Sequence, residues 1–220
     1  MKAHLLLLLL AFALRPSSED EDVCDNGIHQ SPVNLTSTDS VEAKMRPLQW
    51  RGHWEDRAEG FDLINTGHTG GSLTDTYILE QVHFHWGQEH SGTEHAIEGE
   101  RYCMEAHLVH YKKAYGSFDA AQNQFDGLAV IGILFSETTE NNTSFDELVS
   151  GLRDVHEEGD TTQLAVNAMV WLQPHVAPNN YFTYQGSLTT PPCSEIVTWI
   201  VMKETGTIGV KQVSSLSARL

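Results

Sequence analysis

The sequence is short of positive charge: 13 Lys and Arg stand against 30 Asp and Glu, a formal net charge of −17. That field would repel a phosphate backbone or an anionic lipid surface, which argues against nucleic-acid and membrane-surface roles. No apolar run reaches the length a transmembrane helix needs. No internal repeat or low-complexity linker follows the acidic pentapeptide Ser18-Glu19-Asp20-Glu21-Asp22, so nothing suggests a second domain. Cysteine is scarce and odd in number, at three. In an oxidising compartment two would pair and one would be left over.

What is present fits one globular domain. Of the 220 residues, 40% are apolar, too many for a disordered acidic tail. A chain of this size can remove roughly 70% of its unfolded surface from water. At its start, Met1-Lys2, an apolar run from Leu5 to Leu14 and the small residues of Ala11-Phe12-Ala13 read as a secretory signal peptide over 1–14, with a buried core helix as the plain alternative. An acidic stretch over 15–23 and a domain over 24–220 follow. Three N-glycosylation sequons suit that route: Asn34-Leu35-Thr36, Asn141-Asn142-Thr143 and Asn142-Thr143-Ser144.

Short runs rich in β-branched and aromatic residues, Ala129 to Phe135, Ala168 to Leu172 and Ile196 to Met202, predict buried strands. One helix is expected after Ser144 as its cap, with Glu147 as capping-box partner and an apolar stripe of Phe145, Leu148, Val149, Leu152 and Val155 ending before Gly159. The outline is a mainly β, α+β fold with a few short helices.

The chemistry begins at Gln81-Val82-His83-Phe84-His85-Trp86-Gly87. Side chains alternate faces on a strand, so His83 and His85 point the same way, roughly 7 Å apart at Cα, and two imidazoles can converge on one ion. Twelve His in 220 residues make about 0.65 such pairs by chance, so the pair alone decides little. A second stretch, Tyr102-Cys103-Met104-Glu105-Ala106-His107-Leu108-Val109-His110, offers His107 from a neighbouring strand. Three protein ligands with one open position is the pattern of a catalytic zinc. Gln81 and Glu105 each stand two residues before a ligand, on its own face, able to hold the outer ring nitrogen. Cys103, on the same face by alternation but about 13 Å of strand from His107, reads as a buried free thiol.

His83-Phe84-His85-Trp86-Gly87, Thr93-Glu94-His95, Glu105-Ala106-His107-Leu108-Val109-His110 and Gly186-Ser187-Leu188-Thr189-Thr190-Pro191-Pro192, in this order, resemble the α-class carbonic anhydrases. Gln30-Ser31-Pro32-Val33-Asn34 and Asn65-Thr66-Gly67-His68 are weaker milestones of the same likeness, which runs from about Cys24 to about Val210. The resemblance implies a large twisted, mostly antiparallel sheet and a Zn2+ enzyme that interconverts CO2 and bicarbonate. It assigns the metal to His83, His85 and His107, and makes Thr189 and Glu94 the pair that orients the attacking hydroxide: Glu94 accepts the one hydroxyl proton, so the Thr189 oxygen can only accept. It places CO2 in an apolar pocket of Val109, Val130, Leu188, Val197 and Trp199 with Thr190 nearby, makes His68 the proton shuttle, and pairs Cys24 with Cys193. His95 and His110 match positions with structural hydrogen-bonding roles.

Against the family pattern, an aromatic segment ahead of Cys24, a strand and turn after His68-Thr69 and a terminal strand beyond Leu220 have no counterpart, and Thr66 stands where Asn is frequent. The expectation is therefore an incomplete domain with exposed sheet edges. In the family the terminal segment holds the histidine matching His85, and losing such an acceptor costs about 10 to 100-fold in metal affinity or activity. Two other functions fit the same residues: a non-catalytic, secreted acidic binding or mineral-matrix domain on this scaffold, and a zinc esterase. Small molecules (CO2, bicarbonate, water) are the expected partners. Nothing in the sequence sets the oligomeric state.

Overall fold

A computed structural model describes residues 6–8, 24–42, 48–51, 62–64, 73, 75–87, 92–151, 162, 164, 166–175 and 180–217. Eleven strands are present among them: β1 (Leu6–Leu8), β2 (Asn34–Leu35), β3 (Gln49–Arg51), β4 (Asp62–Ile64), β5 (Thr76–Trp86), β6 (Ala96–Ile97), β7 (Met104–Lys112), β8 (Leu128–Thr138), β9 (Tyr181–Gly186), β10 (Val197–Met202) and β11 (Gly206–Gly209). Short helices α1 (Phe118–Ala121), α2 (Asp146–Gly151) and α3 (Val210–Ser217) lie between or after them.

The main sheet has nine strands, in the order β3-β4-β5-β7-β8-β10-β9, with β1 beside β5 and β11 beside β8. It is mixed: β1–β5, β8–β10 and β8–β11 run parallel and the other pairings antiparallel. β2 and β6 form a separate parallel pair. Leu6–Leu8 of the expected leader is the segment that pairs with Gln81–His83. The rest of that leader and the acidic stretch lie outside the described residues.

Apolar residues cover both faces of the central strands. One face carries Val82, Phe84, Ala106, Leu108, Ile131, Ile133 and Ile200, packed against Trp171, Phe145 and Leu216. The other carries Val109, Val130, Val197, Trp199 and Val201. A bulge between Leu79 and Gln81 decides which residues of β5 face which way. One extra residue reverses the alternation. Tyr77, Leu79, Val82 and Phe84 therefore stay in the first core, while Gln81, His83 and His85 turn to the second face.

Several expectations need correction. Ala168 to Leu172 is not a strand; it lies in a 3-10 helix over Val166–His175. Ala168 and Trp171, and Met169 and Leu172, are buried pairs three residues apart, which is one turn of such a helix. A short buried apolar run cannot be told from a strand by periodicity alone. The helix expected after Ser144 starts as a 3-10 turn over Thr143–Phe145 and continues as α2. Its cap is Asn142, whose side-chain oxygen accepts from the Ser144 N–H. Phe145 and Leu148 are buried as expected, whereas Leu152, Val155 and Gly159 lie outside the described residues. Cys103 is a buried free thiol, but it precedes β7 and packs in the first core, away from the His107 face. Its Sγ donates to Phe135 O, and burial pushes the thiol up to about 12.

Cys24 and Cys193 are bonded, 169 residues apart in sequence. Closing a loop of that size removes about 5 kcal/mol of unfolded-chain entropy. The Cys24→Ser, Cys193→Ser double variant should therefore unfold at clearly lower urea concentration; an unchanged midpoint would refute this account.

Candidate metal centre

β5 and β7 are antiparallel neighbours in a register that sets His83 opposite His107 and His85 opposite Glu105. Opposed residues share a face, so the three imidazoles meet. Ring centroids are 5.2 Å apart for His83 and His85, 5.1 Å for His83 and His107, and 4.6 Å for His85 and His107. One nitrogen from each lies within 4.8 Å of the others, a span one tetrahedral ion can bridge.

Glu94 enters from the loop before β6. Its Oε2 lies 3.4 Å from His85 Nε2 and 3.8 Å from His107 Nδ1. Neither Glu94 Oε2 nor His85 Nε2 has a hydrogen-bond partner, although both are buried. Unsatisfied buried atoms are costly, and here they converge on one small space. Burial is the largest effect on Glu94 and raises its pKa; His107 and then the Thr189 hydrogen bond oppose it by favouring the charged acceptor. Thr189 is thus the donor to Glu94.

Glu105 is fully buried and accepts four hydrogen bonds. Oε1 takes His107 Nε2 at 2.8 Å and His95 Nδ1 at 2.6 Å, and Oε2 takes the backbone N–H groups of Glu94 and His95, each at 2.9 Å. Burial alone would raise this carboxyl, but the two imidazoles hold it well below the usual carboxylate range. Gly132, opposite His107 on β8, leaves the room it needs: a Cβ there would stand 3.1 Å from Glu105 Oε1. The line continues outward, from His95 Nε2 to Tyr184 Oη at 2.7 Å and from Tyr184 Oη to Ser31 Oγ at 2.9 Å. Tyr184 and Ser31 carry no sequence cue for this role, since the contact spans 153 residues.

Other expected residues fall as follows. Gln81 Oε1 and His83 Nδ1 are both buried without a hydrogen-bond partner, so no Oε1-to-Nδ1 bond joins them. Val109, Val130, Val197 and Trp199 gather in the second core, with Leu188 packed against it. Trp199 lies 4.8 Å from the His107 ring. Thr190 is exposed. His110 is buried, with Nδ1 bonded to Leu108 O, away from the cluster. Thr66, Gly67 and His68 lie outside the described residues.

Burial, followed by the neighbouring imidazoles, lowers His83 to about 2; burial and then His107 lower His85 to about 3. Both rings are neutral when folded, as metal ligands must be. The unfolded chain takes up protons at these two positions below about 6.5, so stability is complete above that pH and is lost as pH falls toward the folded values. Glu105 has the same sign, its contribution fading below the ordinary carboxylate pKa. Metal-free protein should lose up to about 2.7 kcal/mol per pH unit from the two histidines below pH 6.5. Guanidinium titrations at stepped pH would show it, and a flat profile between pH 6.5 and 4 would contradict it.

A sheet whose antiparallel central pair presents three imidazoles, backed by carboxylates and flanked by an apolar wall, is a group that could hold a metal ion, and the chain belongs to the eukaryotic-type carbonic anhydrase family, whose pattern matches residues 17–220. It is 35% identical to carbonic anhydrase 6 of Mus musculus over 215 residues, covering 90% of this chain and 67% of that protein. With carbonic anhydrase 7 of Homo sapiens the identity is 36%, covering 88% and 78%; with carbonic anhydrase 6 of Homo sapiens it is 37%, covering 81% and 62%. The chain thus spans about two thirds of the carbonic anhydrase 6 proteins it matches.

Proposed function

We propose that this protein catalyses the reversible hydration of carbon dioxide to bicarbonate and a proton, with Zn2+ held by His83, His85 and His107. The observation that supports this most is the convergence of three imidazoles on a space where His85 Nε2 and Glu94 Oε2 are buried and unpaired. The donor set suits zinc: three nitrogens, two of them held neutral, with a fourth position open. When bound, zinc supplies the positive charge that yields hydroxide from water at neutral pH, as is established for carbonic anhydrases.

The chain's own residues do the rest. Glu105 accepts the proton on His107 Nε2, which leaves the Nδ1 lone pair directed at the cluster. Glu94 accepts the Thr189 hydroxyl proton, so Thr189 Oγ1 can only accept from the attacking oxygen, which orients that oxygen's lone pair toward carbon. Val109, Val130, Leu188, Val197 and Trp199 offer apolar surface for CO2, which carries no net dipole and gains nothing from polar walls. His68 remains the proposed carrier of the released proton. The Cys24–Cys193 bond and the leader-like Leu5 to Leu14 run support a secreted protein. No described helix is long and apolar enough to cross a membrane.

Stopped-flow CO2 hydration tests this reading. Zinc-loaded protein should accelerate the reaction, and Thr189→Ala should lose about 100-fold in kcat, the scale of a misoriented reactant, with zinc content unchanged. Zinc-loaded protein no faster than buffer would end the proposal.

A further inference from the structure

Two overlapping sequons share Asn142 and Thr143, yet their acceptor asparagines are built differently into the fold. Asn141 is exposed, and its carboxamide makes no hydrogen bond among the described residues. Asn142 is half-buried and fully engaged. Its Nδ2 donates to Thr207 O at 2.7 Å, its Oδ1 accepts from Ser144 N at 3.1 Å and pairs with Ser144 Oγ at 2.6 Å, and its backbone N–H donates to Gln212 Oε1 at 2.9 Å. Gln212 returns a bond to Asn142 O and also accepts from Gly209 N. Asn142 therefore joins the start of α2 to β11 and α3. In the third sequon, Asn34 is exposed; its Oδ1 accepts from Gly99 N at 2.8 Å, while its Nδ2 has no partner among the described residues.

We infer that Asn34 and Asn141 carry N-linked glycans and that Asn142 does not. Transfer takes a polyprenyl-diphosphate-linked oligosaccharide as co-reactant. The asparagine Nδ2 bonds to the anomeric carbon as the carbon–oxygen bond to diphosphate breaks, polyprenyl diphosphate leaves, and Nδ2 loses one of its two protons to a base. The modification is made on an extended chain, so all three sequons are open to it, and folding then selects among the products. At Asn34 and Asn141 the nitrogen is free of the fold and a sugar projects into water. At Asn142 a sugar would sit on the nitrogen that meets Thr207 O, in the space between this segment and β11. Chains modified there would lose the cap and the tie together, and would fold and leave the cell poorly.

The inference rests on the reading that the chain enters the secretory route, and one experiment separates the two. The full chain is expressed in mammalian cells, and medium and cell lysate are treated with peptide N-glycosidase in heavy-oxygen water, which marks each occupied asparagine as a labelled aspartate. Peptide mapping of the secreted protein should find label at positions 34 and 141 and none at 142. Asn34→Gln and Asn141→Gln should each remove one glycan step on a gel and leave CO2 hydration unchanged. Asn142→Gln should keep both glycans but lower the unfolding midpoint by about 2–6 °C, the scale of a lost cap and tie. Label at 142 in secreted, disulfide-bonded protein, or secreted protein without label at 141, would overturn the site assignment. Absence of label in lysate and medium alike would overturn the secretory reading and the inference with it.

Discussion

His107→Ala is expected to abolish stoichiometric zinc binding and to bring CO2 hydration down to the rate of buffer. His107 is the proposed ligand whose position the fold determines most completely. It stands opposite His83 in the β5–β7 register, its ring is 99% removed from solvent, and its outer nitrogen is bound to a buried carboxylate. Alanine leaves two imidazoles on one strand, and the other histidine of β7, His110, is bonded to Leu108 O away from the cluster. Loss of an outer partner costs about 10 to 100-fold in affinity, and loss of a ligand itself should exceed that range. Chelator competition reads the affinity and stopped-flow reads the rate. If the variant keeps one zinc per chain and the wild-type rate, the three-histidine centre is wrong. His83→Ala, at the facing position, should behave in the same way.

Glu105 is expected to show the second largest effect, through two separable routes. Glu105→Ala leaves His107 Nε2, His95 Nδ1 and two backbone N–H groups without their acceptor in a dry site. Breaking a buried pair by removing one member costs about 3–5 kcal/mol, so the variant should unfold at much lower denaturant. Glu105→Gln is the sharper test. It keeps the shape, and its oxygen can still accept the two backbone N–H groups, but its NH2 then faces the two imidazoles as a donor. His107 must then accept at Nε2 and carry its proton on Nδ1, which removes the lone pair from the cluster. Zinc affinity should fall about 10 to 100-fold while the fold persists, and nitrogen NMR of labelled histidine should report the exchanged tautomer. Unchanged affinity with an unchanged tautomer would show that Glu105 only fills space.

Much of the centre was legible in local pattern. His-Phe-His and Glu-Ala-His are two-residue spacings, and on a strand that spacing puts side chains on one face whatever the rest of the chain does. Burial of 129–135 and 197–201 followed from unbroken apolar runs between polar clusters. The bond between Cys24 and Cys193 and the gathering of Val109, Val130, Val197 and Trp199 came through the family likeness, since no local rule joins residues so far apart. Two readings failed where local pattern is ambiguous or is overridden. Ala168 to Leu172 lies in a 3-10 helix, and Asn142 takes the cap expected of Ser144.

Residue order alone determined which side chains could serve as ligands and that pairs of them would point together, because strand alternation needs only nearest neighbours. The tertiary structure decided which face they point to, through the extra residue between Leu79 and Gln81. It also decided that His83 meets His107, and that a hydrogen-bonded line runs from His107 through Glu105, His95 and Tyr184 to Ser31. Those contacts join segments up to 153 residues apart. They depend on sheet order and register, which are properties of the whole chain's packing and leave no mark on the residues beside them.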